Sequence, residues 1–187
     1  MREIEVLVEL SSSKEDALRA LKSFREEGNR EVVDTYYFHP SSDDLKPVRG
    51  SLRNCLRIRE KSGTCLLAYK NDHFDGEGKW VYSDEYEVVV SEGNTMKTIL
   101  RLLGFRELLT IRNRKHKFMH DQYEIVLEEV TDLGLFLEVE RLDVPDSEDA
   151  SDVKSKIRAF IASLGLEAAE LDMGKPELML KRMGSRS

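Results

Sequence analysis

Three Glu-x-Glu pairs punctuate the chain: Glu3/Glu5, Glu85/Glu87 and Glu138/Glu140. A spacing of two places both carboxylates of a pair on one face of an extended strand. Basic residues repeat the pattern with opposite sign, at Arg57/Arg59 and Arg112/Arg114, with Lys70 closing an apolar run. Carboxylates are hard oxygen ligands suited to Mg2+ or Mn2+, and guanidiniums fork onto phosphate oxygens. If the two sets share one interior, the ligand they ask for is both strongly anionic and metal-bearing. A single such pair is ordinarily a solvated face of an open sheet, so the reading turns on the elements that carry the pairs.

Residues 3–10 alternate with period two and predict a strand. Ser12-Ser13-Lys14-Glu15 offers a capping box, and Ala17, Leu18, Leu21 and Phe24 follow at helical spacing, with Gly28 expected to end that helix. Further strands are expected over 32–38, 52–60, 65–70, 85–90 and 136–142, with a hairpin of 109–118 against 123–130. Residues 40–50 read as a polar loop. The Gly-rich stretch 71–79 reads as a connection without the spacing of a phosphate-binding loop. A helix is expected over 94–103. A third begins after the acidic run 146–149, with Val153, Ile157, Phe160, Ile161 and Leu164 on one face and Gly165 at its end. The predicted fold class is α+β: a closed eight-stranded antiparallel β-barrel (a tunnel) with flanking helices, in a single domain over 1–187. The apolar neighbours of the glutamates (Ile4/Val6, Tyr86/Val88, Leu137/Val139) should then lie under helices, which turns the glutamates inward. So many enclosed charges would be costly if unfilled, so the lumen is expected to be wet or occupied.

Composition narrows the partners. The chain of 187 residues carries 35% charged residues and a net charge of −7, which argues against generic nucleic-acid binding. No apolar run reaches the length of a membrane helix, and the acidic, alternating start does not read as a targeting segment. Cys55 and Cys65 form no metal-binding spacing. The expectation is a cytoplasmic protein with a triphosphate-containing small molecule as its partner, no nucleic acid, no membrane, and homodimerisation left open.

Several segments occur in a telling order: Glu3-Ile4-Glu5, Asp34-Thr35-Tyr36-Tyr37-Phe38, Leu56-Arg57-Ile58-Arg59, Tyr69-Lys70, Glu85-Tyr86-Glu87, Arg112-Asn113-Arg114, Leu127-Glu128-Glu129-Val130, and finally Leu133-Gly134-Leu135-Phe136-Leu137-Glu138-Val139-Glu140. The set resembles the CYTH superfamily, the triphosphate tunnel metalloenzymes, and within it is most similar to class IV adenylyl cyclases. The resemblance implies an eight-stranded tunnel, Mg2+ or Mn2+ as metal, and a nucleotide or other triphosphate as substrate. It implies Glu3, Glu5, Glu138 and Glu140 as metal ligands, and Arg57, Arg59, Lys70, Arg112 and Arg114 as phosphate clamps. Glu85 and Glu87 would be further acidic lumen residues. Glu128, with Arg112 and Arg114, would be catalytic.

The chain departs from that family's pattern in three places. Leu7 stands where the opening motif carries Lys, Tyr82-Ser83-Asp84 where an Arg commonly precedes the second pair, and Gly174-Lys175-Pro176 in place of a C-terminal Ser-Tyr. Three functions stay open on this evidence. They are cyclisation of ATP to cyclic AMP and pyrophosphate, hydrolysis of tripolyphosphate, thiamine triphosphate or a nucleotide, and phosphate binding without catalysis.

Overall fold

The computed structural model describes residues 2–48, 51–145 and 147–184. The N-terminal extended segment is broken at Ile4 into β1 (Arg2–Glu3) and β2 (Glu5–Leu10). Helix α1 (Lys14–Leu21) follows, with the Ser13 hydroxyl accepting from Asp16 N at its start. It ends seven residues before Gly28. After Phe24 the run Arg25-Glu26-Glu27 offers a helix nothing to bury, and the chain instead enters β3 (Arg25–Phe38). Gly28 sits at a register shift in the β3–β7 ladder with φ 125°, a conformation that favours glycine.

The hairpin β4 (Asn54–Lys61) and β5 (Thr64–Phe74) turns at Ser62-Gly63, and β6 (Trp80–Val90) follows. Helix α2 (Gly93–Leu102) leads to β7 (Arg106–His120), β8 (Tyr123–Val130) and β9 (Gly134–Arg141). Asp149 then caps α3 (Ala150–Ser163), accepting from the backbone N–H groups of Ser151 and Asp152; Asp146 of the same acidic run lies outside the described residues. A short β10 (Ala168–Glu170) and a helix α4 (Lys175–Gly184), neither of them foreseen, complete the chain.

All pairings are antiparallel, in the order β1-β6-β5-β4-β3-β7-β8-β9-β2-β10. The α+β class therefore stands, but the closed eight-stranded barrel does not: the sheet is a curled, ten-stranded one with open ends. The strand β1 at one end and β2, next to β10 at the other, belong to one N-terminal segment, so the sheet wraps a lumen without sealing it strand to strand. Arg2 and Glu3 pair with β6, whereas Glu5 to Glu9 pair with β9. The β1–β6 ladder stops after two residues. Further along it the Trp80 carbonyl, which a continued ladder would set opposite Val6, instead accepts from Lys154 Nζ of α3 at 2.8 Å.

The main core lies outside the curl, where Val153, Ile157 and Ile161 of α3 pack on Ile4, Val6, Val8, Leu137 and Val139. Truncating fully buried Ile157 to Ala would cost about 2–5 kcal/mol. Helix α2 covers Tyr37 and Ile58 through Leu100. Helical cover is not general, however: Tyr86 and Val88 on the outer face of β6 are exposed. Among the described residues no helix is long and apolar enough to cross a membrane.

Candidate functional site

Alternation along each strand sends one set of side chains outward to the core and the other into a cavity of about 540 Å3. Odd positions of β1 and β2 supply Glu3, Glu5 and Leu7, and β9 adds Glu138 and Glu140. Opposite them, β4 contributes Arg57, Arg59 and Lys61, β3 Arg30 and Asp34, and β7 Lys115 and Lys117. Lys70 on β5 and Glu85 and Glu87 on β6 line the same space. Towards one end Leu7, Tyr36, Leu109 and Ile111 pack with Leu171, Leu178 and Met179. The other end opens to solvent. Side-chain exposure rises from 15% at Glu85 to 39% at Glu87, and from 16% at Lys115 to 44% at Lys117.

Inside, acid and base are interlocked. Lys70 Nζ lies 2.7 Å from Glu3 and 2.6 Å from Glu5. Arg57 reaches Glu85 at 2.6 Å, and Arg59 grips Asp34 with two hydrogen bonds of 2.7 and 3.1 Å. Burial alone would raise the Asp34 carboxyl, but the Arg59 and Arg57 guanidiniums hold it well below the usual carboxylate range. Glu128 is fully buried, flanked by Lys115 at 2.5 Å and Lys175 at 3.0 Å, with Asn113 donating to it at 3.3 Å.

Glu140 differs from its neighbours. It makes no ion pair or side-chain hydrogen bond within the described residues, and it stands directly across from Glu5 on β2 and Glu124 on β8. Burial first, then the charges of Glu3, Glu5, Glu124 and Glu138, push its carboxyl up to about 9. Glu5 is pushed up to about 8, chiefly by burial, which outweighs its contact with Lys70. Like charges set directly opposite each other destabilise a sheet. The cluster therefore holds more carboxyls than the lumen's own cations can keep ionised, and Glu140 retains a proton that a bound metal could displace.

The expected site residues separate into two groups. Glu3, Glu5, Arg57, Arg59, Lys70, Glu85, Glu87, Glu138 and Glu140 line the one lumen, and Glu128 is buried against Lys115 and Lys175 beside it. Arg112 and Arg114 do not join them. They lie on the outer face of β7 along a surface groove, and Arg114 pairs there with Glu31 at 2.7 Å. The physical reason is parity. Phe118 shares their face and is buried in the outer core, so Ile111, Asn113, Lys115 and Lys117 point inward. The core-facing Phe118 was the available signal, and it identifies Lys115 and Lys117 as the inward cations of this strand. Asp34, Arg30, Lys61 and Glu124 also escaped the sequence reading of the lumen, as did the ion pairs of Lys175.

A divalent cation suits the unneutralised carboxylates. Among the described residues no three acidic, His or Cys side chains converge into a ready-made cage. Glu3 and Glu5 share Lys70 and Glu138 is paired with Lys175, so Glu140 is the one carboxyl of the four without a cation partner among the described residues, and Glu5 directly across the ladder is its nearest co-donor. Mg2+ is commonly held by one or two carboxylates together with substrate phosphates, so this donor set fits it.

Comparison with known proteins agrees with this architecture. The relative named "Putative adenylate cyclase MJ0240", from Methanocaldococcus jannaschii, is 24% identical over 170 residues, spanning 89% of this chain and 91% of its own. The PH1819 protein of Pyrococcus horikoshii OT3 superposes with a TM-score of 0.81 at 26% identity, over 96% of this chain and 99% of that one. HpAC1 of Hippeastrum superposes with a TM-score of 0.66 at 19% identity, over 97% and 96%. The CYTH domain description matches residues 1–173, and the chain belongs to the CYTH domain family.

Proposed function

We propose that the lumen binds a triphosphate group together with Mg2+ or Mn2+ and that the protein is a triphosphate-processing enzyme. The observation that carries this reading is the opposition inside one cavity of Arg57, Arg59, Lys70 and Lys115 to the carboxyl cluster of Glu3, Glu5, Glu138 and Glu140. The cationic side chains bind and orient the phosphate oxygens. Glu5 and Glu140 would hold the metal, which supplies neutralisation of the charge that builds on those oxygens during transfer. Glu128 is a positioning residue: it fixes Lys115 and Lys175 from below rather than meeting the ligand.

Two reactions suit this clamp, and they differ in the nucleophile. In the first, water attacks the terminal phosphorus, the bridging P–O bond breaks towards the leaving diphosphate, and orthophosphate is released. The Hippeastrum neighbour, whose description reports a dominant triphosphatase activity, is in keeping with it. In the second, a ribose hydroxyl attacks the α-phosphorus and pyrophosphate leaves, the reaction named for the Methanocaldococcus relative. Incubation with tripolyphosphate, ATP and thiamine triphosphate, with Mg2+ or Mn2+, separates them. Orthophosphate supports hydrolysis, and cyclic AMP with pyrophosphate supports cyclisation. Tight binding without turnover would reduce the protein to a binding module.

A further inference from the structure

The open end of the lumen carries cations that the triphosphate reading leaves unused. Arg30 on β3, Lys61 on β4 and Lys117 on β7 all project from the lumen face near the mouth. The strands are adjacent, with Val32 opposite Lys61, Arg30 opposite Lys115 and Gly28 opposite Lys117, so Arg30 on the central strand is the diagonal neighbour of Lys61 on one side and of Lys117 on the other. Arg30 and Lys61 make no ion pair or side-chain hydrogen bond within the described residues. Lys117 alone has a partner, Glu124 at 2.5 Å. Lys61 is held below its ordinary value by partial burial and by the charges of Arg59, Arg30 and Lys117, against the single opposing influence of Glu87. Arg30 and Lys61, without partners among the described residues, stand beside Lys117 at the cavity mouth and form a site for an anion.

We infer that Arg30, Lys61 and Lys117 form a second anion subsite at the mouth, which takes phosphates beyond the third of a linear polyphosphate whose end lies in the lumen. Added length can leave through this mouth, where the exposure of Glu87 and Lys117 shows the lumen open to solvent. Arg57 and Lys61 are four residues apart on one strand, a span of about 13 Å. That spacing sets Lys61 nearer the mouth than the clamp, so a chain anchored at Arg57 comes within its reach as it lengthens. The proposal rests on the reading of the lumen as a triphosphate site.

The test is titration calorimetry with Mg2+, comparing tripolyphosphate with a longer linear polyphosphate on the wild type and on an Arg30→Gln/Lys61→Gln double variant. The wild type should bind the longer chain roughly ten-fold tighter, an advantage that shrinks as salt rises. The double variant should lose that advantage yet keep its affinity for tripolyphosphate. Both substitutions lie at the rim, and a thermal melt checks that the fold is retained. Equal affinity of the wild type for both ligands would overturn the subsite while leaving the triphosphate reading intact. So would an advantage that survives in the double variant. Failure of every protein to bind tripolyphosphate would instead sink the reading beneath it. A wild-type preference for a 5′-triphosphorylated oligonucleotide over the longer polyphosphate would assign the mouth to nucleic acid and overturn the proposal.

Discussion

Lys175 of α4 places its ammonium 2.5 Å from Glu138, the residue directly across the ladder from Leu7. The same ammonium lies 3.0 Å from Glu128, and the segment leading to it is fastened to β2 by the Leu171 N–H donating to the Leu7 carbonyl at 3.0 Å. A charge absent from the strand at position 7 is thus delivered from the C-terminal helix. Lys175 is held well above the usual lysine range, and Glu138 well below that of a carboxylate, because each is buried against opposite charge.

Removing that ammonium should be costly. Lys175→Met leaves two buried carboxylates facing each other, and breaking a buried pair of this kind costs about 3–5 kcal/mol. The melting temperature should fall by roughly 10 °C. Leu7→Lys in the same background should recover part of the loss, since its side chain starts opposite Glu138. A melt of the double variant no higher than that of Lys175→Met alone would show that position 7 cannot reach the pair.

A charge excess centred on Glu140 makes a prediction about pH. Its carboxyl stands at about 9 in the folded protein against 4.5 ordinarily, so the folded state keeps a proton there that the unfolded state has given up. Stability without metal should therefore decline as pH climbs from about 4.5 towards 9. Metal binding requires the deprotonated form and releases the proton. The Mg2+-induced rise in melting temperature should consequently be larger at alkaline than at mildly acidic pH. A rise independent of pH would place the metal elsewhere.

Glu140→Gln keeps the shape and removes one of the opposed charges. The metal-free variant should melt higher than the wild type at neutral and alkaline pH, because it no longer bears the cost of keeping a proton that the unfolded chain gives up. It should also lose most of its response to Mg2+. Differential scanning fluorimetry with and without the metal reads both effects, and a full Mg2+ response in this variant would remove Glu140 from the donor set.

The two faces of the strands can be separated by substitution. Arg57→Gln should weaken tripolyphosphate binding about ten-fold or more, as expected for loss of a forked charge-assisted contact in a partly buried site. Arg112→Gln, on the outer groove, should leave affinity within about two-fold. Equal losses in both would mean that the outer groove takes part in binding.

Much of the lumen was legible because strand alternation is local. Glu3 and Glu5 carry their apolar complement Ile4 and Val6 within four residues, and Glu138 and Glu140 do the same with Leu137 and Val139. Where alternation is decided by a distant contact, local reading failed. Arg112 and Arg114 carry the charge pattern of a lumen pair, but Phe118, committed to the core beneath α1 and α3, fixes their parity outward. Gly28 looks like a helix end and is a bulge, because β7 offers the charged run 25–27 a ladder that no helix could match. The break at Ile4 depends on Lys154 capturing a carbonyl 74 residues away along the chain, and no periodicity encodes that. Lys175 lies 37 residues from Glu138, and its placement depends on how α4 docks rather than on any motif.

The central claim is that one lumen holds a triphosphate and a divalent metal together, and calorimetric titration of tripolyphosphate with and without Mg2+ tests it most directly. The account predicts saturable binding that tightens at least about ten-fold with Mg2+ and is lost in an Arg57→Gln/Arg59→Gln variant that still folds. Undetectable binding at millimolar tripolyphosphate, or binding unaffected by both the metal and the arginine substitutions, would contradict it.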